Sequence, residues 1–163
     1  MSRELGAVAR WARVTTFLLS LAGLGVSGYL TFTHFFGTQF LACSTTGTFD
    51  CSAVTTSAQS HFLGVPVAVL GLAQYVAMTA LNSPWGWASR WYQLHVARVV
   101  LAGVGMAFVL WLVAAELLII DHICEWCSVV HLISFVLLIV ISRVAPAQLG
   151  WVRGEAESAA PAR

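Results

Sequence analysis

The sequence predicts an all-α integral membrane protein: a four-transmembrane-helix bundle with an outer loop that carries a short horizontal helix. The 163-residue chain is 59% hydrophobic and 9% charged, whereas soluble domains carry about 25% charged residues. The apolar residues also fall into four long runs separated by more polar segments. The net charge of +1 excludes the basic surface that nucleic-acid binding requires.

Each apolar run is a predicted span, because a helix of roughly 20 apolar residues crosses a bilayer core. The four predicted spans cover residues 15–36, 65–81, 95–120 and 128–145. The second and fourth are short, which favours little tilt or a locally thin bilayer. Small residues recur in two spans and let helices approach closely in lipid. They include Gly23, Gly25, Gly103 and Gly105.

The basic residues orient these spans. All eight are Arg. They lie before the first span, between the second and third, just inside the third, and at the end of the fourth or after it. The loops 37–64 and 121–127 contain none. Basic loops stay on the cytoplasmic side of a membrane. We therefore expect a cytoplasmic N-terminus (1–14), a membrane domain (15–145) and a disordered cytoplasmic tail (146–163).

Both Arg-free loops carry cysteines. Cys43 and Cys51 lie in the first loop, and Cys124 and Cys127 form a Cys-x-x-Cys where the last span begins. In the predicted topology both pairs face an oxidising compartment, where disulfides persist. Two dithiols at one membrane surface suggest an electron relay from a soluble thiol protein to an acceptor dissolved in the lipid.

The tight pair is placed for thiol chemistry. Cys124 would precede the last helix and Cys127 would lie at its start, where free N–H groups and the helix dipole stabilise a thiolate. Thiolate is the reactive form in disulfide exchange. Trp126, beside the apolar helix, suits an aromatic ligand. Two alternatives stay open: a zinc site formed with His122 and His131, and an unreactive structural disulfide.

The first loop predicts a short helix beginning at Cys51, with Asp50 as its N-cap. The helix is too short to span a membrane and is expected to lie along its surface. Ser57 would lie on nearly the same face as Cys51 or Val54. Cys43 would then face a soluble partner while Cys51 reaches the tight pair. The alternative is an ordinary disulfide that closes a small extracytoplasmic loop.

Together these motifs resemble the vitamin K epoxide reductase family. The resemblance covers roughly residues 15–145, nearly all of the predicted ordered chain. It consists of four motifs in this order: Cys43-x7-Cys51, Cys51-Ser52-x-Val54-x-x-Ser57, Gly64-x-Pro66 and Cys124-x-x-Cys127.

The resemblance implies a four-helix bundle around a quinone, menaquinone or ubiquinone, which accepts the electrons. Cys43 would react with the partner thiol. Cys51 would attack the disulfide of the tight pair and form a transient bond with Cys124, leaving Cys127 nearest the quinone. The resemblance also implies that Ser57 helps to hold a quinone oxygen.

Two polar residues near this site are open to more than one interpretation. His131 follows Cys127 by one helical turn and should point to the same face, either to bind a quinone oxygen or relay a proton, or as a packing residue. Glu116 lies within the third span, where acids usually face the protein interior and are functional. It provides a proton path to the quinone, or it reaches out to the membrane interface.

His131 also distinguishes members of the family. Vertebrate members carry tyrosine there, a longer segment after Ser57 and a quinone-binding asparagine without an evident counterpart here. The sequence therefore favours the bacterial-type member of the cytoplasmic membrane, which reduces a respiratory quinone and drives disulfide formation in exported proteins. Its partner would be a thioredoxin-fold, DsbA-like protein. Many relatives carry that domain fused, but this chain ends soon after the last span, so we expect the partner to act in trans.

Three other functions are alternatives for this sequence. A second class of membrane thiol oxidase carries its tight pair in the first outer loop and its wide pair in the second, the reverse of the order here. A vitamin K quinone or epoxide reductase would use the same four cysteines. A non-catalytic metal-binding membrane protein would use cysteines as soft ligands, although our own interpretation includes no metal.

Overall fold

The computed structural model describes residues 8–43 and 48–150 and is predominantly helical. In chain order the helices are α1 (Arg10–Phe36), α2 (Cys51–Thr55), α3 (Val67–Asn82), α4 (Pro84–Ala88), α5 (Tyr92–Ala115) and α6 (Glu125–Gln148). A π-helical turn, Glu116–Ile120, continues α5, and single 3-10 turns cover Thr38–Phe40 and Ala58–Ser60. A short antiparallel hairpin, β1 (His61–Phe62) with β2 (Val65–Pro66), pairs His61 with Pro66 and Phe62 with Val65.

The four longest helices form a closed bundle, in which α1 and α5 each pack against both α3 and α6. Its buried core consists of Tyr75, Met78, Ala102, Ile133, Leu137 and Ile141. Large apolar side chains also cover the outside of the bundle, as with Leu110 and Leu132. Such a surface suits a lipid solvent.

The membrane prediction is confirmed at the level of its helices. Three are long and apolar enough to cross a bilayer: Arg10–Phe36, Tyr92–Ile120 and Glu125–Gln148. The fourth, α3, has 16 residues, or about 24 Å of helix against a core of about 30 Å. That α3 spans the membrane, and that α2 lies along its surface, stay predictions.

The helices extend beyond the predicted membrane domain at both ends. Helix α1 begins at Arg10, and α6 continues through Pro146 to Gln148, so the start of the predicted disordered tail is helical. The last turn, which contains Pro146, is held in place by the buried Gln148 side chain, whose Nε2 donates to His95 Nδ1 at 2.8 Å. The rest of the predicted tail, 151–163, lies outside the described residues.

Glycine lets helices meet closely at two of the four predicted positions. A Cβ on Gly23 would overlap the Tyr75 ring of α3, and one on Gly105 would lie 2.7 Å from Gln74 Nε2. Gly25 and Gly103 have no neighbour within 4 Å of such an atom. The close-packing prediction therefore holds at the faces turned toward α3 and not at the other two positions.

Arg98 ties the helices together at the Arg-rich end. Its guanidinium is 1% exposed, donates to the Leu81 carbonyl at the end of α3 and lies 3.6 Å above the Trp87 ring of α4. It also donates to His95 Nδ1 at 3.0 Å. Since that nitrogen accepts, the ring proton lies on Nε2, which donates to the Ser89 carbonyl at 2.9 Å.

At the other end of the bundle, the first loop lies directly against the start of α6. The Asp50 N–H donates to the Ile123 carbonyl at 3.2 Å, and the Ile123 N–H donates to the Thr48 carbonyl at 3.0 Å. A parallel bridge joins Phe49 and Ile123. These bonds hold the two cysteine-bearing segments side by side.

Candidate functional site: two cysteine pairs beside an apolar cavity

Cys124 is the N-cap residue of α6, as predicted. Its Sγ accepts a hydrogen bond from the Cys127 N–H at 3.2 Å, and the side chain is completely buried. The pKa of Cys124 is lowered, chiefly because the Cys127 thiol donates to it and further because the Cys127 backbone N–H does the same, against the opposing effect of burial. The residue is therefore arranged to hold a thiolate.

The first loop brings a second pair of cysteines to the same place. Cys43 and Cys51 form a disulfide, and the buried Cys51 begins α2. Asp50 Oδ1 accepts from the Ala53 N–H at 3.0 Å and from Ser52 Oγ at 2.6 Å, which confirms the N-cap. The same two bonds, that from Ser52 first, lower the pKa of Asp50.

All four cysteines lie in one cluster. Cys51, Val54 and Cys124 form its buried centre, and Cys43 and Cys127 pack against it. In this structure the loop pair is oxidised and the tight pair is present as two thiols. The two dithiols that the sequence placed on one membrane face are thus direct neighbours.

A cavity of about 360 Å³ opens between the helices below this cluster. Its walls are largely apolar and come from α1, α3, α5 and α6, as well as the segment after α2. Cys127 lines it, together with Ser57, Glu116 and His131. Among the described residues Cys124 is not part of that lining, because it is enclosed by Cys51 and Val54. The two thiols of the tight pair therefore face different surroundings.

The model of the vitamin K epoxide reductase family matches residues 14–142, which include all four cysteines and the walls of the cavity. The chain belongs to the vitamin K epoxide reductase family. Family members are membrane oxidoreductases that use quinones and work with thioredoxin-like redox partners, so this chain is a quinone-linked redox enzyme of membranes. No curated protein sequence matches it.

Two of the three residues predicted to hold the quinone of this family line the cavity. Ser57 does so while its Oγ donates to the Val54 carbonyl at 2.8 Å, so it must rotate before it can donate to a quinone oxygen. His131 lines the cavity as well and makes no hydrogen bond within the described part of the chain. Its ring is the group most available to a ligand.

Trp126, the third of these residues, is not part of the described cavity lining, and its role as a ligand-binding residue stays a prediction. Its Nε1–H donates to the Ala42 carbonyl at 2.6 Å, and its ring meets that of Tyr29 edge-on at 5.1 Å. This carbonyl belongs to the residue before Cys43, so the polar edge of the half-buried indole is bonded to the first loop. Trp126 thus positions the loop.

Sequence reasoning missed polar residues deeper in the cavity. Tyr75 donates its hydroxyl to the Val130 carbonyl at 3.0 Å and lies 2.9 Å from Ser134 Oγ. Gln74 donates to the Leu101 carbonyl at 2.8 Å. All three line the cavity. A polar side chain inside an apolar span is the signal that identifies such residues, since they face the protein interior.

The described side chains of the zinc alternative, the tight cysteine pair with His122 and His131, do not form a metal site. Within 8–43 and 48–150, no three His, Cys, Asp or Glu side chains are placed to hold a metal ion. His122 instead bonds to the Ile120 carbonyl at 3.0 Å, whereas His131 lies on the cavity wall.

Proposed function

We propose that this enzyme oxidises a separate thioredoxin-fold, DsbA-like protein and passes the electrons to a membrane quinone, menaquinone or ubiquinone. It would thereby drive disulfide formation in exported proteins. The proposed location is a bacterial cytoplasmic membrane, with both termini in the cytoplasm and the cysteines outside. The observation that carries the proposal is the division of the tight pair, with Cys124 against the loop cysteines and Cys127 on the cavity wall.

Each cysteine has one role in the proposed relay. A partner thiolate attacks Cys43 and releases Cys51 as a thiolate; the second partner thiol then resolves this mixed disulfide, so the partner leaves as a disulfide and Cys43 as a thiolate. Cys51 then attacks Cys124 of the oxidised tight pair, which frees Cys127 as a thiolate at the cavity. Cys43 then attacks Cys51, which restores the loop disulfide and releases Cys124 as a thiolate, so the tight pair is left reduced. The burial of Cys51 against Cys124 supports the transient bond between them. The lowered pKa of Cys124 supports its release, because a low-pKa thiol is the better leaving group.

The cavity fits the head group of a quinone. Ligand sites of about 300–1,000 Å³ with apolar walls and few polar groups are typical for small molecules, and this cavity of about 360 Å³ has that character. Quinone oxygens accept hydrogen bonds, and we propose that His131 and a rotated Ser57 donate them. When bound, the quinone accepts the two electrons.

Quinone reduction by the purified, thiol-reduced protein tests this proposal. With a small reductant as electron source, wild type and Cys51→Ala should both bleach the quinone absorbance, because the reductant bypasses the loop pair. Cys127→Ala should lose more than about 10³-fold in rate, since the thiol facing the quinone is gone. Electron transfer from a thioredoxin-fold dithiol should require Cys51 as well.

Two controls complete the experiment. His131→Phe should raise the KM for quinone several-fold, in line with the loss of about 1 kcal/mol from one hydrogen bond, whereas His122→Phe, outside the cavity, should not. Quinone reduction that survives in Cys127→Ala contradicts the relay. Absence of reduction in every variant together with stoichiometric bound metal would instead support the metal-binding alternative.

A further inference from the structure

One acidic side chain lies on the cavity wall beside the tight cysteine pair. Glu116 is 6% exposed and lines the cavity that Cys127 and His131 also line. It therefore faces the interior, and the interpretation in which it reaches the membrane interface is wrong. A buried acid at the level of the spans is costly to keep unless it has a use.

The interactions of Glu116 point toward the cysteines. Its carboxyl lies within electrostatic reach of the Cys124 backbone N–H, and within the described chain no cation is paired with it. Its charge acts on both Cys124 and Cys127. A structural carboxylate at this depth would be expected to have a cationic partner, whereas this one is coupled to two thiols.

The backbone at Glu116 is also unusual. Glu116 is the first residue of the π-helical turn that continues α5. Single π-turns inserted in α-helices occur frequently at functional sites, because the wider turn redirects side chains. The turn ends at Asp121, in the left-handed region with φ of 58°. The local fold thus departs from a regular helix just where it presents this carboxyl.

We propose that Glu116 is the proton carrier between the tight dithiol and the quinone: its carboxylate accepts the proton of the Cys127 thiol and delivers it to a quinone oxygen. This inference rests on the proposed function of the site. It adds the path of the proton to the path of the electrons.

In this step the dithiol is oxidised and the quinone is reduced. The tight pair begins with Cys124 as thiolate and Cys127 as thiol. It loses two electrons and forms one S–S bond. The quinone gains these two electrons and two protons and leaves as the quinol. One proton comes from Cys127 Sγ through Glu116; the other comes from water outside the membrane and replaces the proton that Cys124 released when it ionised.

Other titratable groups face the same space and define the controls. On the remaining elements around the cavity they are Cys127, His131, His34 and Tyr75, whereas Cys124 lies behind the wall in the cysteine cluster. Tyr75 already donates to the Val130 carbonyl. His131 and His34 are the two imidazoles on the described cavity wall that are able to relay a proton, and His131 is varied separately in the quinone assay.

Glu116→Gln removes the titratable proton but keeps the size and polarity of the side chain. It should lower kcat for quinone reduction about 10²-fold, the usual contribution of a positioned acid or base, while KM stays within about twofold. Glu116→Asp should recover part of the rate. The matched control is Glu125→Gln, the same change at a carboxyl in the first turn of α6 outside the cavity lining; it should keep the wild-type rate.

Infrared difference spectroscopy provides a measurement that needs no quinone. Oxidation of the reduced tight pair with a soluble oxidant should change the C=O band of a protonated carboxyl. That band should disappear in Glu116→Gln and persist in Glu125→Gln. A wild-type kcat in Glu116→Gln, or the absence of any redox-linked band that depends on Glu116, overturns the inference.

The two proposals fail in different ways. If wild type does not reduce quinone, the proposed function fails, and the infrared band alone decides whether Glu116 exchanges a proton with the dithiol. If wild type reduces quinone and Glu116→Gln does so equally fast, the relay of electrons stands and the proton carrier is not Glu116.

Discussion

Cys124 and Cys127 are three positions apart and yet differ in surroundings, and that difference underlies the proposed chemistry. Cys124 is enclosed by the first loop. Its sulfur accepts from two donors of Cys127, the thiol and the backbone N–H. Cys127 lies on the cavity wall. A helix N-terminus thus presents one sulfur to a protein thiol and the other to the lipid-soluble acceptor.

The first prediction at this scale concerns the pH at which Cys124 ionises. A lowered pKa means that thiolate forms at lower pH than for an ordinary thiol, and its largest cause is the Cys127 thiol. In a Cys43→Ala/Cys51→Ala protein, the first thiolate should therefore appear at lower pH than in the same protein with Cys127→Ala. Ultraviolet thiolate absorbance against pH measures this. Coincident curves would show that Cys127 does not stabilise the thiolate.

The sequence alone identified most residues of the candidate site, but not the role of every one of them. The spacing of the cysteines, the Asp50 cap and the one-turn separation of Cys127 and His131 are local features, and a helix places them reliably. The hydrogen bond of Trp126 was not predictable, because its N–H donates to an acceptor 84 positions away at Ala42, a contact that no local pattern contains. Glu116 stayed ambiguous for a similar reason, since its burial depends on packing between helices.

At the scale of elements, one close contact controls how α1 meets α3. Gly23 lies against the Tyr75 ring, and that ring is held by bonds from its hydroxyl to Val130 and Ser134. The ring cannot move aside without losing these partners. Since Tyr75 also lines the cavity, the crossing of α1 and α3 sets part of the cavity's shape.

Gly23→Leu should therefore destabilise the protein by at least about 1–3 kcal/mol, the usual cost of overpacking. The control is Gly25→Leu, in the same helix, where an added Cβ meets no atom within 4 Å; it should be neutral or stabilise by up to about 1 kcal/mol, because glycine is a poor helix former. Unfolding followed in detergent micelles gives both values. Equal losses in the two variants would contradict the contact.

Helix existence was predictable and helix ends were not. Runs of apolar residues identified all four long helices. The end of α6 depends on the bond between Gln148 and the buried His95, and the π-turn after Ala115 has no sequence pattern that we recognise. Both features come from tertiary contacts, which override local preference.

At the scale of the whole molecule, α3 lies alongside α1 in antiparallel register. Thr31 donates to the Ala68 carbonyl at 3.0 Å near one end of α3, and Asn82 bonds to Ser20 at 3.0 Å at the other. The β-hairpin continues α3 toward the cysteine cluster, and α4 continues it toward the buried Arg98. The 16-residue helix therefore connects the two ends of the bundle.

This arrangement makes the predicted topology testable, because residues 39 and 88 lie at opposite ends of the bundle. Arg residues mark one end and cysteines the other, so the positive-inside rule places Ala88 in the cytoplasm and Gln39 outside. In a cysteine-free background, Gln39→Cys should react with a membrane-impermeant maleimide in intact bacterial cells. Ala88→Cys should react only after the membrane is permeabilised.

The outcome separates four spans from three. If α3 fails to cross, Ala88→Cys lies on the same side as Gln39→Cys and both are labelled in intact cells. If the orientation is reversed, Ala88→Cys alone is labelled. Four spans in the predicted orientation give labelling at Gln39 alone, and only then do both cysteine pairs face the oxidising compartment in which a thioredoxin-fold partner could reach Cys43.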